Sequence, residues 1–123
     1  MKDNAISIVK GDTFTFGVEF SGLNQTVTNL TFTVRNKPTD NAYIFQKSKG
    51  SGISLVSSSE DSEGKLTELY KVRIAPEDTK DLDTGSYFYD LEYRQTNGVT
   101  SDIFTLLRGA FDIEYAVTQH EEV

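Results

Sequence analysis

Residues Thr13 to Phe20 read T-F-T-F-G-V-E-F, an alternation that sets Phe14, Phe16, Val18 and Phe20 on one side of an extended chain and Thr13, Thr15, Gly17 and Glu19 on the other. A side-chain period of two belongs to a strand with one dry face and one wet face. The pattern returns at Leu30, Phe32 and Val34, at Tyr70, Val72 and Ile74, and at Tyr87, Tyr89, Leu91 and Tyr93. Weaker strands are expected at Ile6 to Val9, Tyr43 to Lys47, Ile53 to Val56, Ile103 to Leu107 and Phe111 to Val117. No segment carries a helical period. Strands with one apolar face must stack those faces, so the chain is expected to be all-β.

The 123 residues suit one domain, spanning 1–123, with an ordered core of about 5–118 and a frayed tail at 119–123. Eight Phe and six Tyr supply core area where cysteine and tryptophan are absent. Asn97-Gly98 stands between two alternating segments and has the chemistry of a tight hairpin turn. Gly109 interrupts an otherwise long strand, marking a bulge or a sheet-switching kink. Ser57 to Gly64, S-S-S-E-D-S-E-G, has nothing to bury and is expected to be an exposed, mobile loop.

About seven to nine short strands fit a sandwich or a barrel, and one motif favours the sandwich. Asp83-Thr84-Gly85-Ser86-Tyr87-Phe88-Tyr89 has the D-x-G-x-Y spacing that precedes strand F of immunoglobulin-like domains, where a tyrosine hydroxyl ties the corner to nearby backbone. Tyr87 is then the corner tyrosine and Asp83 braces the turn. Tyr89 takes the inward position of the second antibody cysteine. Ala75 to Leu82 suits one short helical turn, with Pro76 at its first position. The expected fold is an immunoglobulin-like antiparallel β-sandwich.

Chemistry is hard to place on this chain. The absence of cysteine removes thiolate catalysis and thiolate metal sites, and the single histidine, His120, sits three residues from an acidic end, where it reads as a solvated tail residue and not as a catalytic base. Glu77, Asp78, Asp81 and Asp83 crowd one surface turn, where capping explains them better than paired-carboxylate catalysis or a calcium site. Glu60, Asp61 and Glu63 read the same way, and no phosphate loop or dinucleotide fingerprint occurs. No catalytic residue, metal, cofactor or small-molecule substrate is expected. Nineteen acids against twelve bases give a net charge of -7, which disfavours nucleic acid and anionic membranes. The start lacks a signal-peptide pattern and no long apolar run occurs, so a protein made in the cytoplasm is expected. Asn24-Gln25-Thr26 and Asn29-Leu30-Thr31 match a glycosylation pattern that has no export signal to give it meaning. Phe88 is the unusual residue, an apolar ring on the face expected to meet solvent; it reads either as a partner contact or as a singly exposed aromatic.

The segments G-D-T-F-T-F (Gly11 to Phe16), Y-I-F-Q-K (Tyr43 to Lys47), A-P-E-D-T-K-D-L-D-T-G-S-Y-F-Y-D-L (Ala75 to Leu91) and T-L-L-R-G-A-F-D-I (Thr105 to Ile113), with Asn97-Gly98 and Val117-Thr118, together span nearly the whole chain. In that order and spacing the chain resembles bacteriophage baseplate and tail modules, above all the amino-terminal immunoglobulin-like domain of baseplate upper proteins. The resemblance implies a phage or prophage virion structural protein that docks to other tail proteins or to itself, often as a homo-oligomer, and it carries over no catalytic residues. The chain ends soon after the domain, whereas a baseplate upper protein continues, so a stand-alone accessory protein fits equally. The alternative from another class is a carbohydrate-binding or adhesion module for a bacterial surface polymer; an enzyme ranks last.

Overall fold

The computed structural model describes residues 4–97 and 100–115. Val117, Thr118, His120 and the 119–123 tail lie outside them, as does Gly98. Among the described residues the elements run β1 (Ile6–Val9), β2 (Phe14–Leu23), β3 (Asn29–Arg35), β4 (Phe45–Lys49), β5 (Gly52–Glu60), β6 (Leu66–Ile74), α1 (Pro76–Thr79), β7 (Gly85–Asn97) and β8 (Thr100–Glu114). The sheet order is β1-β8-β7-β3-β4-β5-β6-β2. Among the described residues the fold is all-β apart from the one helical turn at Pro76.

The eight strands form two packed layers, β1-β8-β7-β3-β4 and β5-β6-β2. They join where Ser48 and Lys49 meet Gly52 and Ile53 in a two-residue parallel contact. Gly50 (φ 91°) and Gly52 (φ 97°) supply the left-handed backbone that this crossing needs. With β1 parallel to β8 and β2 beside β6, the order is that of an immunoglobulin sandwich: β8, β7, β3 and β4 stand as strands G, F, C and C′, and β2, β6 and β5 as B, E and D. The sheet is therefore mixed where a wholly antiparallel one was expected. Both parallel pairings are short, four residues at β1–β8 and two at β4–β5, and both fall where the chain changes layers.

Aromatic rings fill the space between the layers. Phe32 is fully buried at the centre, with ring centroids 5.6 Å from Phe16 of the opposite layer, 5.4 Å from Tyr89 and 6.2 Å from Phe111. Phe20 bridges in the same way to Tyr93 at 5.5 Å and Tyr70 at 5.9 Å. The inward set Tyr70, Val72 and Ile74 is fully buried, as its alternation requires. These rings provide the inter-layer contact that a disulfide supplies in antibody domains.

Three local expectations are corrected. Residues Ser57 to Glu60 continue β5 and pair with Leu69 to Leu66 of β6, so the exposed loop shrinks to a turn. There the Asp61 carboxylate accepts from Glu63 N (2.8 Å) and Lys65 N (2.9 Å). Serine-rich sequence stays in the sheet because the backbone ladder, not side-chain burial, holds this exposed stretch. The two weak strands around Gly109 are one strand, β8. Its bulge lies at Leu106, since Leu91 pairs with Leu107 and the next residue, Glu92, with Thr105. Gly109 serves a different need: a Cβ there would lie 2.4 Å from the Asn4 carbonyl oxygen. Its missing side chain lets the chain before β1 lie against β8, where Asn4 N donates to Arg108 O at 2.9 Å.

Candidate protein-contact face

The corner motif is built as a local unit. Tyr87 Oη donates to the Asp83 carbonyl oxygen at 2.7 Å, so Asp83 contributes its backbone as the acceptor. Burial, and then the nearby Asp83 carboxylate, push the Tyr87 hydroxyl above its ordinary range, which keeps it a donor. Gly85 sits at φ 141°, a backbone that a side chain would strain. Tyr89 is buried in the core and its hydroxyl donates to the Asn4 carbonyl. Of the acidic cluster before it, Asp78 accepts from Ala75 N at 2.7 Å and pairs with Lys47 at 2.7 Å, which fastens α1 to β4. Thr79, also fully buried, accepts from Gly11 N at 2.9 Å. Asp78 thus has the capping role read from the sequence. At the far end of the β7–β8 hairpin Asn97 pairs with Thr100.

Phe88 points to the outer face of the five-stranded layer and is 38% exposed. It pairs across the sheet with Arg35 on β3 and Ala110 on β8. In the next row Thr33, Asp90 and Arg108 lie side by side, with Gln46 of β4 donating to Thr33 Oγ1 at 2.9 Å. Thr33, Arg35, Pro38, Phe88, Asp90 and Arg108 line an open concavity of about 880 Å³. Arg35 is steadied at the rim by Nε donating to the Asp40 carbonyl at 3.1 Å. Burial and the neighbouring Glu92 hold the Asp90 carboxyl above its ordinary range, with Arg35 pulling the other way. The face therefore combines one partly exposed ring with cationic and anionic groups held by a rigid sheet.

Comparison with known proteins adds no relative. No protein-family model matches the chain, and no curated protein matches it significantly. Among the described residues no helix is long and apolar enough to cross a membrane.

A buried carboxylate, Glu68, was not singled out by the sequence reading. It is 2% exposed and accepts from Val27 N (3.0 Å), Thr26 Oγ1 (2.7 Å), Tyr70 Oη (2.8 Å) and Ser58 Oγ (3.4 Å). Burial pushes its carboxyl up, but these hydrogen bonds outweigh that and hold it below the usual range. Lys49 closes the same end, donating to the Val27 carbonyl at 2.6 Å and lying 5.4 Å over the Tyr70 ring. The signal was present in register: Glu68 falls on the inward side of a strand whose other inward residues include Tyr70, Val72 and Ile74.

Proposed function

We propose that this chain is a non-enzymatic phage or prophage structural domain that docks to a tail or baseplate protein through the outer face of β8, β7, β3 and β4. Phe88 carries the reading: an aromatic ring in a concavity, flanked by Arg35 and by the Asp90–Arg108 row, has the make-up of a protein-contact anchor with a polar surround. The baseplate-like order of motifs in the sequence supports the kind of partner. In the test, the chain is co-expressed with tail proteins encoded beside its gene and the affinity of any complex is measured. Phe88→Ala is expected to weaken it by roughly thirtyfold, the loss of about 2 kcal/mol typical of a hot spot. Val56→Ser, on the other layer, is expected to leave it unchanged. No complex with any tail protein sinks the proposal. Glycan-array binding that Phe88→Ala abolishes replaces it with the carbohydrate-binding alternative.

A further inference from the structure

β2 ends the sheet order, pairing with β6 on one side and with no described strand on the other. From Phe14 to Phe20 its ladder to β6 runs without interruption, so alternate residues along seven positions turn their N–H and C=O groups away from the sheet. Long bare edges are ordinarily blunted by proline, by bulges or by several charges. This segment has no proline, no bulge and one charge, Glu19. Its inward side chains are unfinished as well. Phe14, Phe16, Val18 and Phe20 are each only partly buried, whereas Tyr70, Val72 and Ile74 opposite them on β6 are fully buried.

We infer that β2 is the seam of a two-fold dimer in which two copies of this chain pair their Phe14–Phe20 segments antiparallel. Symmetry and full overlap together set the register, because a two-fold axis through an antiparallel pair reverses one copy on the other. Gly17 then faces Gly17 of the second copy, Phe16 faces Val18, Phe14 faces Phe20 and Thr15 faces Glu19. Every apolar residue meets an apolar one on the same face, as the pleat demands. The one acid avoids its own copy. A slip by one residue puts Phe against Thr and Glu and loses this match. The inference goes beyond the docking role proposed above: it rests on strand geometry alone and uses the opposite layer of the sandwich.

The test is sedimentation equilibrium on the full chain. Wild-type protein is expected to sediment at twice 13.7 kDa, weakening reversibly on dilution. Thr15→Glu sets two like-charge pairs across the seam and is expected to raise the dimer dissociation constant about tenfold, while Thr15→Lys sets two attractive pairs and lowers it. Within one chain Thr15 lies opposite Arg73, where Glu is favourable and Lys is not. An effect through monomer stability therefore has the reverse sign. A chain that stays monomeric at millimolar concentration, or a dimer indifferent to both substitutions, overturns the inference. Failure here leaves the Phe88 face untouched, because Thr15→Glu protein is still expected to bind its tail partner and Phe88→Ala protein still to dimerise.

Discussion

At Tyr87 one hydroxyl closes the corner between α1 and β7, and the D-x-G-x-Y spacing makes that legible because donor and acceptor are four residues apart. Tyr87→Phe is expected to lower the unfolding free energy in urea by about 1 kcal/mol, the net value of one such bond. Glu68 is the opposite case. Its donors come from residues 26, 27, 58 and 70, so the alternation placed it inward but could not supply its partners. Glu68→Gln replaces a carboxylate that accepts on both oxygens and is expected to destabilise by about 1–3 kcal/mol at neutral pH. The folded carboxyl holds its proton less tightly than the unfolded one, whose ordinary value is 4.5. Its contribution is therefore complete above that value and is lost as pH falls through the lower folded value. The gap between wild type and Glu68→Gln, followed by urea unfolding across acidic pH, should narrow in that window and not at higher pH.

Strands follow the same division. Strands β2, β3, β6 and β7 were readable from alternation, since each turns one apolar face inward. The length of β5 was not: its serines have no apolar signal, and its order comes from backbone pairing with β6. Gly109 announced a special position, but its reason lies 105 residues away along the chain, at Asn4. Gly109→Ala is expected to push Asn4 off β8 and cost about 1–3 kcal/mol, as overpacking does. Amide exchange at Ile6 to Val9 should accelerate more than exchange at the core strands β3 and β6, which would separate local detachment of β1 from general loosening.

On the scale of the molecule, one layer presents Phe88 outward and the other ends on the bare edge of β2. The two proposals use these separate surfaces, a partner on the Phe88 side and a second copy on the β2 side, the division that a joint in a symmetric assembly requires. The Phe88 ring was visible in the sequence as an apolar residue on a wet face. Its setting was not, because Arg35, Asp90 and Arg108 come together only when β3, β7 and β8 are neighbours. The same holds for the seam: alternation identified β2 as a strand, while only the sheet order left it at an edge. By itself, then, the sequence determined what local periodicity and short spacing can encode: strands, their dry faces, the Tyr87 corner and the helical turn at Pro76. The tertiary structure decided which strands are neighbours, where Glu68 finds its donors and which edge stays open, because those depend on pairings between residues far apart in the chain, which no local pattern specifies.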